Sequence, residues 1–162
     1  MRIEKVKAVI CRAPEFYGPD KTKGITQTLI FENLASGKKL KVLLRDDKLR
    51  TLIWSPDASK ATALIGNTPG AYDQTWHLPC DDNRVTYKQF IALISEITGK
   101  EIMYDVQDKI SLSDKRELQE LLPRYEHDNL FLSDKFKNRF PGFKITSYEE
   151  GIKTILHQIK FM

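Results

Sequence analysis

The feature that most constrains the fold is an apolar run, residues 6–11 (VKAVIC), that ends abruptly in a loop-forming segment. The run is too continuous for a half-exposed strand, and it predicts a strand covered on both faces, as in a parallel sheet. Residues 12–24 follow with two prolines and two glycines, a composition that predicts a loop. In open α/β sheets ligands bind beyond the carboxyl ends of the strands, so this loop is the first candidate site.

Short β-rich segments and helices alternate along the rest of the chain. The residue patterns predict strands at residues 40–44, 50–54, 75–78 and 102–106, and helices at residues 25–36, 55–65, 86–99, 113–122, 133–139 and 147–160. Ser55 is expected to cap the second of these helices, and Asp57 is expected to complement its dipole. Thr86 and Gln89 have the spacing of a capping box. This alternation indicates the α/β class.

Length and charge favour one soluble domain over residues 1–162. A chain of 162 residues suits a single domain that buries roughly 70% of its unfolded surface. The net charge is only +4, and the 26 basic residues are mixed with 22 acidic ones, which argues against nucleic-acid binding. The sequence contains neither an apolar run near the ~18 residues that span a bilayer nor a signal peptide, so we expect no membrane interaction.

The cysteines and histidines exclude several kinds of site. Cys11 and Cys80 lie far apart in apolar surroundings and outside any CxxC, which predicts reduced core thiols in a cytoplasmic protein. The three histidines have no metal-ligand spacing, so no metal site is expected. Trp76 and His77 are interpreted as core and strand-end residues rather than ligands.

The usual catalytic and phosphate-binding motifs are absent from the sequence. It contains no GxGxxG, no P-loop and no GxSxG. Tyr17 and Lys21 have the YxxxK spacing that positions a catalytic tyrosine on a helix, but Gly18 and Pro19 between them disfavour a helix. We therefore interpret this spacing as a coincidence and predict no catalytic residue. Phe16 and Tyr17 either offer flat faces to a planar ligand or fill the core, and the residues alone leave both open.

Four segments resemble, in order, the extended short-chain dehydrogenases of the NAD-dependent epimerase/dehydratase family. The strand and loop after that family's catalytic helix are similar to "VKAVICRAPEFYGPD". Later family segments are similar to "RTLIWSPDASKATALIGNTPGAYDQTWHLP", "TYKQFIALISEITGKEIMYDV" and "DNLFLSDKFKNRFPGFKITSYEEGIKTIL". In the second segment Asp57 resembles the family's helix-opening aspartate, and we interpret it as a helix cap. Together the segments cover essentially the whole chain.

The resemblance extends only to the C-terminal part of such an enzyme. Family members carry a glycine-rich dinucleotide loop and a helical YxxxK before the strand that residues 6–11 resemble. The resemblance therefore implies the last strands of a Rossmann-type sheet plus a small mixed α/β substrate-binding domain, inactive alone. The full-length parent would use NAD or NADP, with none bound tightly by this chain alone. Two alternatives stay open: a stand-alone ligand-binding or protein-interaction module, and a half-enzyme completed by a separate Rossmann chain.

The resemblance also suggests site residues and partners. It implies cofactor contacts from Ala13, Pro14 and Phe16, and contacts to a small, sugar-like substrate from Glu15, Tyr17 and Asn33. Glu15 stands where many relatives have asparagine, and its carboxylate would repel the phosphates of a sugar nucleotide. A chain without the Rossmann half would expose an apolar strand edge at residues 6–11, so we expect a homo-oligomer through that edge or pairing with the missing half.

Overall fold

The structure of the protein is a computed structural model that describes residues 6–19, 22–107 and 122–161. Its strands are β1 (Val9–Arg12), β2 (Glu15–Tyr17), β3 (Leu40–Leu43), β4 (Leu49–Arg50), β5 (Leu52–Trp54), β6 (Gln74–His77), β7 (Val85–Thr86) and β8 (Tyr104–Gln107). Its helices are a π-helix (Gln27–Glu32), α1 (Asn33–Ala35), α2 (Ser55–Gly66), α3 (Tyr87–Thr98), a 3₁₀ turn (Leu122–Tyr125), α4 (Asp134–Arg139) and α5 (Tyr148–Gln158).

The strands of the described ranges associate in pairs, most of them parallel. The parallel pairs are β1 with β6, β2 with β5 and β3 with β8, and β4 pairs antiparallel with β7. Helices lie between the partners of each parallel pair along the chain, as α/β crossovers require. The predicted α/β class is therefore confirmed.

Strand β2 corrects the prediction of a continuous loop over residues 12–24. Phe16 lies beside Ile53 in a parallel register, although Pro14 and Pro19 flank the strand closely. Prolines limit a strand because they lack the N–H that a ladder needs, which fits the short length of β2. Pairing with β5 thus overrides the loop-forming composition.

The prediction that strand β1 is covered on both faces is wrong. Its residues alternate between half-buried and exposed, with Val9 and Cys11 packed inward and Ile10 58% exposed. Within the described ranges β1 pairs with β6 alone, so its second edge is unpaired there. One face and one edge of this strand are therefore open.

The start of α2 differs from the predicted cap. Ser55 is the first helical residue rather than the cap, and its Oγ lies 2.7 Å from Thr22 Oγ1. Asp57 is buried, and its Oδ2 accepts a hydrogen bond of 2.7 Å from the amide of Thr146. The prediction that Asp57 serves as a helix cap is thus wrong, because this carboxylate joins α2 to the segment before α5.

The predicted capping box at residue 86 is confirmed, and the helix predicted over residues 147–160 begins with a second box that was not predicted. Thr86 and Gln89 form a reciprocal capping box at α3, and Ser147 and Glu150 form one at α5. The helix predicted over residues 25–36 is present as the π-helix followed by α1, and Gly37 follows with a φ of 65°. The helix predicted over residues 113–122 lies outside the described residues except for the last, which begins the 3₁₀ turn.

The β2–β5 pair separates two hydrophobic cores. Leu52 and Trp54 of β5 pack into the first core, whose centre includes Phe90, whereas Ile53 packs into the second, which includes Phe136. Because successive side chains of a strand point to opposite faces, one short strand serves both cores. No helix in the described ranges is long and apolar enough to cross a membrane.

Candidate ligand-binding site

Strand β2 directs the predicted site residues to opposite sides. Tyr17 packs in the first core, and Glu15, two residues earlier, lies on the same face of the strand. Phe16 and Ala13 pack against the second core, and Pro14 is buried. Ala13 and Phe16 thus lie on the side of the second core and Glu15 and Tyr17 on the side of the first, and the roles of all the predicted site residues stay predictions.

The half-buried carboxylate of Glu15 accepts hydrogen bonds from three neighbouring residues. Its Oε1 lies 2.9 Å from the amide nitrogen of Thr26 and also accepts from the Thr26 hydroxyl. The Tyr87 hydroxyl lies 2.8 Å from both carboxylate oxygens, and the Tyr125 hydroxyl lies 3.2 Å from Oε2. The chain itself therefore provides every donor that this carboxylate needs.

The buried positive charge of Arg50 lies against the rings of Tyr87 and Tyr125. The residue is only 2% exposed, and its guanidinium donates to the carbonyls of Arg124 at 2.6 Å and Tyr125 at 2.5 Å. Its central carbon lies 4.7 Å from the centre of the Tyr125 ring and 5.7 Å from that of Tyr87, within cation–π range. We call Glu15, Thr26, Arg50, Tyr87 and Tyr125 the Glu15–Arg50 cluster.

Several different elements bring this cluster together. Glu15 begins β2, Arg50 ends β4, and Tyr87 is the first residue of α3, held in place by the capping box. Tyr125 ends the 3₁₀ turn, and Thr26 precedes the π-helix. π-Helices are rare and frequently occur at functional sites. The cluster therefore connects secondary-structure elements that are far apart in the sequence.

The electrostatics keep both tyrosines protonated. Burial raises the pKa of Tyr87 above its ordinary value, and the charge of Glu15 raises it further. Burial and the charge of Glu15 also raise the pKa of Tyr125, while Arg50 opposes this shift. The two phenols therefore donate hydrogen bonds at neutral pH and do not act as bases. The cluster can bind and orient a group, but it is poorly suited to proton transfer.

Tyr17 lies in the first core. It is 1% exposed, its ring packs 5.3 Å from Trp54 and 5.6 Å from Phe90, and its hydroxyl has no hydrogen-bond partner among the described residues. Burial raises the pKa of this phenol, and the residue ends a strand rather than beginning a helix. Neither property suits a catalytic tyrosine of the YxxxK type; Lys21 lies outside the described residues.

Asn33 makes its side-chain contact within its own helix. Its Nδ2 donates a hydrogen bond of 2.9 Å to the carbonyl of Leu29, one turn earlier. This contact holds the amide along its own helix. A role for Asn33 in substrate binding stays a prediction.

Trp76 and His77 lie where the sequence predicted them. Trp76 is 3% exposed, and its Nε1 donates to the carbonyl of Ala71 at 3.0 Å. His77 ends β6, and its Nδ1 lies 2.9 Å from the carbonyl of Leu132. In the described part of the chain, no group of three or more histidine, cysteine, aspartate or glutamate residues could hold a metal ion.

Sequence reasoning missed four members of the cluster: Thr26, Arg50, Tyr87 and Tyr125. Tyr87 follows a recognisable capping residue, Thr86, but nothing local marks its hydroxyl as a partner of Glu15. An arginine inside a β-rich apolar run, as at Arg50, was the one available signal. Such an arginine must find compensating acceptors when it is buried.

No protein-family model matches the chain, and no curated protein matches its sequence significantly. Solved structures do match it. UDP-glucuronic acid 4-epimerase from Bacillus cereus, in complex with UDP-glucuronic acid and NAD, matches with a TM-score of 0.72 and 14% identity over 94% of this chain and 45% of that chain. UDP-glucose 4-epimerase from Thermotoga maritima, with UDP-glucose, matches with a TM-score of 0.69 and 19% identity over 96% and 47%.

A dehydratase gives the same result. The dTDP-glucose 4,6-dehydratase from Bacillus anthracis, in complex with NAD, matches with a TM-score of 0.67 and 18% identity over 94% of this chain and 44% of that chain. The fold is that of the C-terminal portions of Rossmann-type epimerases. The chain spans less than half the length of these solved structures, and identities this low establish the fold alone.

Proposed function

We propose that the chain is the C-terminal, substrate-binding portion of an NAD(P)-dependent epimerase, dehydratase or reductase. The observation that carries this proposal is the continuous likeness of fold, which covers 94–96% of the chain in the two epimerases and the dehydratase. Two of these structures contain NAD and two contain a nucleotide sugar. The likeness covers nearly all of this chain but less than half of each solved structure. Such a match is expected if the chain corresponds to one of the two parts of such an enzyme.

The proposal assigns opposite faces of the loop after β1 to the two ligands. Ala13, Pro14 and Phe16 would lie beside the nicotinamide, and Glu15 and Tyr17 would line the substrate side. The support is the alternation along β2, which separates Phe16 from Glu15 and Tyr17. The loop also follows the carboxyl end of a parallel strand, where open α/β sheets bind their ligands.

The motifs of the redox chemistry are missing from these 162 residues. The sequence contains no GxGxxG, and the one YxxxK spacing begins at a buried strand residue, Tyr17. We therefore propose that a Rossmann half, in the same polypeptide or in a separate chain, supplies the dinucleotide loop and the catalytic tyrosine. The chain alone is proposed to be inactive and to bind neither NAD nor NADP tightly.

The experiment that tests the proposal begins with the source DNA. The reading frame is followed upstream of codon 1, and the extended protein is expressed and assayed for NAD and NADP binding and for turnover of small, sugar-like substrates with and without a nucleotide diphosphate. We expect the extension to encode YxxxK and a glycine-rich loop and to bind a dinucleotide, and the 162-residue chain serves as the inactive control. Turnover by the control would contradict the proposal.

A stop codon upstream would change the test. A neighbouring reading frame with a glycine-rich loop and YxxxK would then be co-expressed, and a stable complex that turns over substrate would support the half-enzyme. If no such frame restores dinucleotide binding, the stand-alone ligand-binding or interaction module replaces the enzyme proposal.

The open edge of β1 is the proposed partner surface. Ile10 is 58% exposed and Val6 is 85% exposed beside a strand edge that is unpaired within the described ranges. In the absence of a Rossmann half we propose that two copies of the chain associate there, because an exposed apolar edge invites pairing. Light scattering at micromolar concentration should show a dimer that I10K weakens and L64K, on the exposed side of α2, does not. A monodisperse monomer would contradict this.

A cytoplasmic location stays a prediction that rests on two free thiols.

A further inference from the structure

The Glu15–Arg50 cluster contains one negative and one positive charge, linked through shared tyrosines. Glu15 lies at the hydroxyl ends of Tyr87 and Tyr125, and Arg50 lies over the faces of the same rings. We propose that Glu15 is a specificity-determining residue that occupies the anion position of this cluster and thereby excludes phosphate-bearing ligands from it. This inference rests on the proposed function, because it assigns the substrate side of that site to an uncharged, polar ligand group.

The donors of the cluster converge on a single acceptor. The amide and the hydroxyl of Thr26 and the hydroxyls of Tyr87 and Tyr125 all donate to the carboxylate of Glu15. One amide and three hydroxyls around a shared centre are the groups that would bind a phosphate oxygen. In this chain the carboxylate already satisfies them, so a ligand anion would have to displace it.

The charge balance leads to the same conclusion. Arg50 is buried, it bonds only to carbonyl oxygens among the described residues, and its Nε has no partner there. A buried charge needs a compensating charge, and Glu15 supplies it across the two rings. Both residues contact the side chain of Tyr125, Glu15 at the hydroxyl at 3.2 Å and Arg50 over the ring at 4.7 Å, so the two charges lie on opposite parts of one phenol. A ligand phosphate would add a second negative charge to a site that is already neutral.

Neutralising Glu15 should reverse this preference. In the variant E15Q the side chain keeps its size, but Arg50 loses its counter-charge and the donors face a neutral amide. An external anion then restores the balance. The variant should therefore bind inorganic phosphate, whereas the native chain should not.

The test compares the melting temperature of the native chain and of E15Q with and without inorganic phosphate, at constant ionic strength set with sodium chloride. Phosphate at about ten times its Kd should raise the Tm of E15Q by about 3–6 °C, and the native Tm should not respond. The amide resonance of Thr26 in ¹H–¹⁵N NMR spectra should shift saturably in E15Q only. The matched control E32Q removes an exposed carboxylate and should behave like the native chain.

Several outcomes would overturn the inference. Saturable phosphate binding at Thr26 of the native chain would do so, and so would an E15Q variant that ignores phosphate. If E15Q is unfolded without phosphate, recovery of the native circular dichroism on adding phosphate supports the inference and failure to recover overturns it. The variant E15D keeps the charge and should not respond to phosphate, which separates charge from packing.

This experiment is independent of dinucleotide chemistry. A phosphate response confined to E15Q would stand even if the extended protein bound no NAD and turned over no substrate, in which case the proposed function alone would fail. Conversely, an active extended protein whose native Thr26 amide binds phosphate would overturn only the role of Glu15.

Discussion

The two cores on either side of the β2–β5 pair differ in composition and in closure. The first core contains four buried tyrosines and borders the charged Glu15–Arg50 cluster. The second core is lined by alanine, isoleucine, leucine, cysteine, tryptophan and phenylalanine and contains no buried tyrosine among the described residues. Its sheet, β1 with β6, leaves Ile10 58% exposed, whereas strand β3 of the first core buries Leu40, Val42 and Leu43.

This difference separates two tasks within one small chain. A polar interior that satisfies its own hydrogen bonds can hold a ligand-facing carboxylate in a fixed position. An apolar layer with an open strand edge can accept another element of protein. We therefore expect ligand selectivity to depend on residues of the first core and association to depend on residues of the second.

The largest expected effect tests whether the two cores unfold together. Phe90 is fully buried in the first core and Phe136 is 1% exposed in the second. Replacing either with alanine should lower the free energy of unfolding by about 3–5 kcal/mol, because it leaves a cavity. The protein has two tryptophans, Trp54 in the first core and Trp76 in the second, so fluorescence of W54F and W76F backgrounds reports each core separately.

Because β2 and β5 serve both cores, each alanine variant should shift both fluorescence transitions in urea by the same amount. A shift of the Trp54 signal alone in F90A would show that the cores unfold independently. The two cores would then belong to two domains rather than to two sides of one domain.

A smaller effect is expected where α2 of the second core is joined to the segment before α5. The variant D57A removes the acceptor of the Thr146 amide and should lower the free energy of unfolding by about 1–3 kcal/mol. D57N keeps an acceptor oxygen and should cost less. D134A, at an exposed position in the first turn of α4, is the control in chemical denaturation. Equal losses for D57A and D134A would contradict a specific role of the buried bond.

Packing around Tyr17 should give an effect of about 1–2 kcal/mol. A Cβ at Gly151 would lie 2.8 Å from the hydroxyl and 2.9 Å from Cε2 of Tyr17, and the ring is enclosed by Trp54 and Phe90. G151A should therefore destabilise the protein, although alanine favours the helix itself. G66A, where a Cβ would meet nothing within 4 Å, should not destabilise it. A stable G151A would show that the first core adjusts easily.

The smallest effect concerns a tyrosine at the margin of the first core. Burial, followed by the hydrogen bond to Asp46, raises the pKa of Tyr104 to about 12. The stabilisation that this neutral phenol provides is present below the unfolded pKa near 10 and is lost as the pH rises through about 12. D46N should lower the pKa of Tyr104 in ¹³C NMR titrations, whereas D47N should not. An unchanged value in D46N would assign the whole shift to burial.

Local signals explain what the sequence could predict of the fold. The capping-box residues Thr86 and Gln89 are only three positions apart in the sequence, so the sequence places the start of α3 correctly. The sequence does not predict strand β2, because this strand forms by pairing with β5 and not through a preference of the residues between Pro14 and Pro19. The sequence overestimates the burial of β1 because coverage of a strand depends on elements elsewhere in the chain.

The candidate site shows the same limit. A family resemblance singles out Glu15, but its partners Tyr87 and Tyr125 lie 72 and 110 residues away in the sequence. No periodicity or spacing rule connects residues at such separations. The cation–π contacts of Arg50 with those rings also depend on tertiary structure, because they form only when β4, α3 and the 3₁₀ turn pack together. The sequence alone therefore does not predict them.

Strand β5 has a consequence for how this chain can change over evolutionary time. Leu52 and Trp54 belong to one core and Ile53 to the other, so a single-residue deletion or insertion in the strand would exchange the contents of both. An alignment of homologous sequences should therefore show no insertions or deletions within residues 52–54, whereas loops such as residues 67–73 should tolerate changes of length. A strand of only three residues thus fixes the register of the sequence against both cores.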